Sequence, residues 1–154
     1  MSKRTHVLPL LVLFVLYSVD ELVAQDPAPS LEFRLAEDDN TTGWEKMELR
    51  GSDKPIFVSD EVSLDGSQIE KVSFYKDANG NPSVGITLTE DGAKALEATT
   101  SRNRNKRLAI VLNGKVVSAP TIRATIRKEA QITGRFDKDD LLAFFHAIVL
   151  RELP

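Results

Sequence analysis

One stretch, KRLAIVLNGKVVSAP at residues 106–120, constrains the fold of this chain more than any other. Two apolar runs flank the pair Asn113-Gly114, and the second run stops at Ala119-Pro120. A type I′ turn requires positive φ at both central residues, which asparagine and glycine adopt at little cost. The pattern therefore predicts a β-hairpin, with strands over Arg107 to Leu112 and Lys115 to Ser118.

The predicted hairpin has an apolar face. Side chains alternate across a strand, so Leu108, Ile110 and Leu112 share one side, where we expect them to fill the core of a sheet. Proline has no N–H to donate, so we expect Ala119-Pro120 to end the ladder. The hairpin is therefore predicted to be scaffold, and function is expected on the surface that the scaffold presents.

Apolar patterning predicts further strands along the chain. They cover Leu31 to Ala36, Met47 to Arg50, Pro55 to Val58, Ile69 to Tyr75, Ser83 to Leu88 and Ala130 to Thr133. The polar link from Asp77 to Pro82 is expected to turn the chain between the fourth and fifth of these strands.

Two helices are predicted as well. Thr89 is placed to cap the first, which ends near Thr100 and has a small apolar side. Asp137 is placed to cap the second. The apolar residues of this last helix recur at helical spacing: Leu141, Phe144, Phe145, Ile148 and Val149. The order of the elements predicts an α+β fold, with a mostly antiparallel sheet and two helices packed on one face.

The first 25 residues have the layout of an export signal. Lys3 and Arg4 precede an uncharged apolar run from Val7 to Tyr17, and a polar stretch ends in Leu22-Val23-Ala24-Gln25. That order is typical of a secretory signal peptide, and the run of 11 residues is short for a helix that spans a bilayer. An uncleaved anchor is the alternative, since the acidic pair Asp20-Glu21 is unusual near a cleavage site.

Length and composition set the domain organisation. We expect residues 1–25 to be the signal peptide or anchor, residues 26–30 to be a proline-rich spacer, and residues 31–154 to be one folded domain. The protein is expected in the periplasm or cell envelope, with membrane contact only through an uncleaved N-terminal segment. It has no cysteine, which excludes disulfides, thiol catalysis and lipid attachment through an N-terminal cysteine.

Charge is distributed unevenly along the chain. Residues 26–100 carry 16 acids and 7 bases, whereas residues 101–154 carry 5 acids and 11 bases. This asymmetry either offers a basic face to an anionic partner, or the two halves interleave and their charges meet as a mixed surface.

The densest basic segment, residues 101–107, lies between the first helix and the hairpin. The candidate partner contacts are Arg102, Arg104, Lys106, Arg127 and Lys128. Alternatively, bases near a helix C-terminus complement the helix dipole and keep a loop soluble. No aromatic residue is interleaved with these bases, so we do not expect a nucleic-acid partner.

Residue patterns that carry chemistry are weak. Asp77 to Ser83 begins like an EF-hand loop, but the sixth and twelfth positions hold Pro82 and Leu88, so a hairpin connection is expected instead. The oxygen-rich residues 37–40 are expected to be solvated surface. His146 is predicted to be a boundary residue of the last helix. With no nucleophile elbow or phosphate loop, we expect no enzyme, no catalytic residues, no cofactor and no metal site.

Several motifs, taken in order, resemble one family. The matching residues are Gly92-Ala93-Lys94, Lys106 to Leu112, Gly114 to Val116, Ser118-Ala119-Pro120, Gln131 to Gly134, Leu150-Arg151 and Leu153-Pro154. This set resembles the head of the first periplasmic domain of SecD, the accessory subunit of bacterial protein export. In that family a Glu-Gly-Ala-Lys helix precedes a Lys-Arg-Leu-Ala-Ile-Val-Leu-Asp-Gly-Lys-Val hairpin that ends in Ser-Ala-Pro.

The sequence also departs from the family pattern. Asn105 stands where a glycine is usual, and Asn113 stands where an aspartate is usual; asparagine tolerates the left-handed backbone at both. Arg127-Lys128 replaces a glycine pair, which makes that turn stiffer and more basic. The resemblance implies a family whose transmembrane helices couple proton flow to export. Because the sequence stops at Pro154, we expect a detached module without that pathway.

Three functions are therefore weighed. The first is a non-catalytic, exported module that binds unfolded or extended polypeptide, or a Sec or envelope protein, and assists export. The second is a structural or interaction domain of the envelope with no role in export. An enzyme is the third. An exposed apolar patch would favour the first function over the second, and a cleft that gathers His146 with two acids would favour the third.

Overall fold

The computed structural model of the protein describes residues 29–149. The predicted export signal and the C-terminal motif Leu150-Arg151 with Leu153-Pro154 lie outside the described residues. The elements follow in the order β1 (Leu31–Glu37), β2 (Glu45–Glu48), β3 (Pro55–Asp65), β4 (Ile69–Lys76), β5 (Pro82–Leu88), α1 (Glu90–Arg102), β6 (Arg107–Leu112), β7 (Lys115–Ser118), β8 (Glu129–Thr133) and α2 (Lys138–Val149).

The strands form two antiparallel sheets. The five-stranded sheet has the order β2-β3-β1-β6-β7, and the three-stranded sheet has the order β4-β5-β8. The chain passes from one sheet to the other at Gly66–Gln68, a 3₁₀ turn capped by the Asp65 side chain. The prediction of an α+β fold with antiparallel pairing is confirmed. The division into two sheets is a feature that the sequence patterns did not indicate.

Both helices pack on the same face of the five-stranded sheet. Leu96 of α1 and Phe144 of α2 belong to the main hydrophobic cluster, together with Phe33 and Ile110 of that sheet and Val84 of the other sheet. A second, smaller cluster on the opposite face draws on strands and loops of the described chain and on neither helix. The predicted packing of two helices on one face is confirmed.

Strand β6 is buried on both of its faces. Leu108, Ile110 and Leu112 lie in the main cluster, as predicted. Ala109 and Val111, which point to the other side, lie in the second cluster. Because side chains alternate, a strand that carries apolar residues at every position is one that is covered on both sides. The unbroken apolar run LAIVL, residues 108–112, therefore places β6 between the two hydrophobic clusters.

The five-stranded sheet curls so that its two outer strands meet. Leu49 forms a bridge with Val116 of β7, and the Arg50 N–H donates to the Val116 carbonyl over 3.0 Å. The Arg50 guanidinium also pairs with Asp137, 3.2 Å away, and with the buried carboxylate of Asp140 on α2. These contacts cover the second cluster and tie it to the start of α2.

The predicted hairpin turn is confirmed. Asn113 and Gly114 both have positive φ, 49° and 75°, which is the requirement of a type I′ turn. The Asn113 side chain also accepts a hydrogen bond from the Ser30 N–H over 2.9 Å. Asn105 has φ 70°, so the asparagine that replaces a family glycine does adopt the left-handed backbone.

The regular β6–β7 ladder ends at Ala119-Pro120, as predicted, but isolated pairing with β6 resumes beyond the proline. The regular strand stops at Ser118, but the Pro120 carbonyl accepts a hydrogen bond from the Leu108 N–H over 2.9 Å, and Arg107 bridges to Thr121. Proline lacks a donor but keeps its acceptor. The chain therefore continues to pair with β6 beyond the proline.

The predicted helix caps are confirmed. Thr89 Oγ1 accepts from the Gly92 N–H over 3.1 Å, and Asp137 Oδ1 accepts from the Asp140 N–H over 2.9 Å. A Cβ on Gly92 would lie 2.5 Å from the Gln68 carbonyl oxygen. The glycine of the Gly-Ala-Lys motif therefore lets α1 pack directly on the 3₁₀ turn.

Two strands differ from their predicted bounds by more than one residue. β2 lies two residues earlier than expected, and β3 continues past Val58 to Asp65. The extension was missed because the segment SDEVSLD carries three acids and reads as a loop. Among the described strands it pairs with β1 alone, since β2 pairs with β3 only from Pro55 to Val58. One side of the extension is therefore a sheet edge, where charge is tolerated.

Candidate functional site

Three of the basic side chains that were predicted to contact a partner lie at the end of α1 and just after it. Arg102 is exposed at the end of α1, and the Arg104 guanidinium donates to the Arg123 carbonyl. Lys106 pairs with Glu37 at 2.9 Å, and its Nζ lies 5.7 Å from the centre of the Trp44 ring. That pairing is the main cause that lowers the pKa of Glu37.

The remaining two candidates lie just before β8. Arg127 pairs with Glu97 at 3.1 Å, and Lys128 lies 3.9 Å from Glu70. In each ion pair of these candidates, the acid comes from the N-terminal half of the chain and the base from the C-terminal half. The two halves therefore interleave and form a mixed charged surface. A role for these bases as partner contacts stays a prediction.

The loop that begins like a calcium site is a hairpin connection. Asp77 Oδ1 accepts hydrogen bonds from the N–H groups of Asn79 and Asn81, over 2.8 and 2.9 Å. The pKa of Asp77 is lowered, first by its backbone hydrogen bond with Asn81. The carboxylate is thus used to hold the turn between β4 and β5. Between residues 29 and 149, no three acidic or histidine side chains are grouped so that they could hold a metal ion.

The apolar side chains of α2 that recur at helical spacing fall into two sets. Phe144 and Ile148 are buried, whereas Phe145 and Val149 are 39% and 37% exposed. The core therefore uses only part of the periodic apolar arc of α2. His146 is exposed, and its ring lies 6.1 Å from that of Phe145.

The apolar groove lies between β4 and α2 and has a volume of about 370 Å³. Its apolar lining consists of Ile69, Val72 and Phe74 from β4 and Phe145, Ile148 and Val149 from α2. Phe74 is 43% exposed. Contiguous exposed apolar side chains on a small protein typically mark a contact surface. This is the exposed apolar patch that would favour a polypeptide-binding function.

One wall of the apolar groove is a free sheet edge. Within the described chain, β4 pairs with β5 on one side and with no strand on the other. The Asp77 N–H donates to the Asn81 carbonyl at the hairpin end, over 2.8 Å. The main-chain groups of an antiparallel strand point alternately to its two sides. Counting back from Asp77, the main-chain N–H and C=O groups of Tyr75 and Ser73 therefore bond to β5. Those of Phe74 and Val72 point away from β5.

Strand β5 has a matching alternation. The Leu88 N–H donates to the Lys128 carbonyl over 2.8 Å, so Leu88 turns its main chain away from β4. Ile86 and Val84, two and four residues earlier, then do the same, and they are the residues opposite Val72 and Phe74. Val72 and Phe74 therefore direct their main-chain N–H and C=O groups to the free edge and their side chains into the groove.

Between residues 29 and 149, none of the helices has the length and apolar content needed to span a bilayer. The fold and the groove define a small α+β domain that offers an apolar surface beside a free strand. The chain belongs to the family of the SecDF P1 head subdomain, whose model matches residues 43–152. The resemblance inferred from the hairpin and helix motifs is confirmed.

Proteins of this family are similar to the chain in both sequence and structure. SecD of Elusimicrobium minutum, a protein translocase subunit, is 36% identical over 85 residues, which are 54% of this chain and 18% of that protein. SecD of Dictyoglomus turgidum is 35% identical over 109 residues, which are 68% of this chain and 27% of that protein. The chain thus corresponds to less than a third of either relative.

Solved structures of SecDF share the fold. A structure of SecDF, a membrane component that enhances protein export, has a TM-score of 0.59 and 27% identity, and the match covers 80% of this chain and 62% of that one. SecDF in a super-membrane-facing form has a TM-score of 0.62 and 29% identity, over 80% of this chain and 19% of that one.

Adjacent phenylalanines in α2 should differ sharply in their effect on stability. We expect Phe144→Ala to lower the free energy of unfolding by about 3–5 kcal/mol, because it opens a cavity in the main cluster. Phe145→Ala should cost about 1 kcal/mol or less, because its ring is partly solvated. Urea denaturation of the purified protein measures both. Equal losses would mean that Phe145 is a core residue and that the groove is not open.

Proposed function

We propose that this domain is a protein-export accessory module that binds extended polypeptide in the apolar groove between β4 and α2, in the periplasm or cell envelope. One observation carries the proposal: Val72 and Phe74 direct apolar side chains into the groove and main-chain N–H and C=O groups to the free edge. A polypeptide that adds to such an edge gains main-chain hydrogen bonds that are independent of its sequence, and apolar contacts from alternate side chains.

Family membership supports the link to export. The curated relatives are protein translocase subunits, and SecDF is described as a component that enhances protein export. A module that holds unfolded segments must accept many sequences, and strand addition meets that need because the main chain is common to all of them. The Sec machinery and its substrates are therefore the proposed partners.

The N-terminal residues are proposed to deliver the domain to this location. Residues 1–25 would act as an export signal or an uncleaved anchor, followed by the spacer at residues 26–30 and the family domain. The mass and N-terminal sequence of the protein isolated from the envelope distinguish a cleaved signal from an uncleaved anchor. Recovery of the protein in the cytoplasmic fraction alone would contradict both forms and the proposed location.

The basic side chains Arg102, Arg104, Lys106, Arg127 and Lys128 are proposed as secondary contacts for an anionic envelope partner. Arg102 is the most informative of them, because it is exposed and lines a second cleft between β3 and α1. The salt dependence of binding separates such contacts from those in the apolar groove, since screening weakens exposed charge pairs and leaves apolar contacts intact.

Binding can be measured by titrating the full chain, in mild detergent, against a permanently unfolded, fluorescently labelled polypeptide at two salt concentrations. We expect saturable binding that persists at high salt, because apolar and main-chain contacts dominate. Val149→Ser should weaken the affinity about five-fold, which corresponds to roughly 1 kcal/mol of lost apolar contact.

The matched control is Val62→Ser, compared at high salt because Val62 lines the cleft beside Arg102. Val62 is a valine of similar exposure, 40% against 37%, and it lies on β3 outside the apolar groove. We expect this variant to bind like the unmodified chain. The absence of binding, its loss at high salt, or equal effects of the two substitutions would contradict the proposed function and favour a structural domain of the envelope.

A further inference from the structure

The two sides of β4 differ in chemistry. Val72 and Phe74 face the apolar groove, whereas Ser73 and Tyr75 face the opposite side of the three-stranded sheet. That side is a shallow polar cleft of about 590 Å³, to which Gln131 of β8 also contributes. The Tyr75 ring lies over Gly85, where a Cβ would be 2.5 Å from Cε2 of the ring. The strand edge therefore separates an apolar surface from a polar one.

A strand added to this edge must place its own side chains on the same two surfaces. Successive residues of a strand point to opposite faces, and residues directly opposite one another on neighbouring strands share a face. Every second residue of an added segment would then pack over the apolar groove, beside Phe74 and Val149. The residues in between would lie over the polar cleft, beside Ser73 and Tyr75.

The polar side of the edge is also basic. Lys71 and Lys76 line the polar cleft at its β4 side, and both are exposed. Lys71 also borders the apolar groove, next to Glu70, which pairs with Lys128. Neither Lys71 nor Lys76 takes part in an ion pair with another residue of the described chain. The acid that lines this cleft, Glu129, belongs to β8, which is the strand farthest from the free edge. Acidic side chains of an added strand would therefore find complementary charge next to the edge.

We propose that the β4 edge selects polypeptide segments in which apolar residues alternate with acidic or polar ones, that is, amphipathic β-strands of period two. This inference rests on the proposed function and narrows its substrate class. A uniformly apolar segment would leave half of its side chains over a polar cleft. A segment with helical spacing would place apolar and polar residues on both sides, so neither would satisfy the two surfaces together.

Three short peptides of matched length test the inference. The first alternates valine with glutamate and serine, the second has the same composition arranged in an apolar and a polar block, and the third carries lysine in place of glutamate. We expect the full chain to bind the first peptide at least ten-fold more tightly than the second. It should also prefer the first to the third, by a margin that shrinks as salt rises.

Backbone methylation tests the same geometry from the ligand side. N-methylation of one alternate set of residues in the first peptide removes the N–H groups that face β4, whereas methylation of the other set removes N–H groups that face solvent. We expect the two methylated peptides to differ by at least ten-fold in affinity. Equal affinities would overturn strand addition at the edge.

A charge reversal provides the matched variants. Lys71→Glu should reverse the preference between the glutamate and lysine peptides, whereas Lys115→Glu, on β7 of the other sheet, should leave it unchanged. If the block peptide binds as well as the alternating one, the inference is overturned. If the unfolded polypeptide itself fails to bind in a parallel titration, the proposed function fails as well, so the two failures are distinguishable.

Discussion

Because β6 is buried on both faces, it joins the two hydrophobic clusters, and the other elements are arranged around it. One face supports the helices and the three-stranded sheet, and the other closes the curled part of the five-stranded sheet. Its hairpin partner β7 is fixed in register by a turn that needs positive φ at Asn113 and Gly114. The turn thereby sets which side chain of β7 enters each cluster, with Val117 in the main one and Val116 in the smaller one.

Because the core uses only part of the apolar surface of α2, the rest of that surface is available for binding. The main cluster holds Phe144 fully buried, so α2 is secured by one stripe of its apolar arc. The neighbouring stripe, with Phe145 and Val149, contributes little to the core and remains at the surface. A free strand edge next to such a stripe is a liability for aggregation unless it serves a purpose. The proposed binding of extended polypeptide would use both features.

Local features of the fold could be predicted from the sequence. The Asn113-Gly114 turn and the caps at Thr89 and Asp137 follow from the backbone chemistry of single residues, and all three are observed. The division into two sheets could not be predicted, because strand pairing such as that of β1 with β6 depends on contacts between distant segments. The second half of β3, residues 59–65, was missed because it lies at a sheet edge and carries charges that in a sequence usually indicate a loop.

The candidate site was harder to predict than the fold. The high density of basic residues in two segments drew attention to five candidate side chains. Four of the five contact acids or a carbonyl group of the same chain. The apolar groove combines β4 with α2, elements more than 60 residues apart along the chain. In the sequence, the groove was indicated only by α2, which has more periodic apolar residues than the core buries.

Amide hydrogen exchange at single residues tests the central claim most directly. The full chain would be compared with and without a saturating unfolded polypeptide, and the amides of Val72, Ser73 and Phe74 would be followed. The account predicts that exchange slows at Val72 and Phe74, whose N–H groups face the free edge, and changes little at Ser73, which already bonds to β5. Unchanged exchange at Val72 and Phe74 in the presence of bound polypeptide would contradict it.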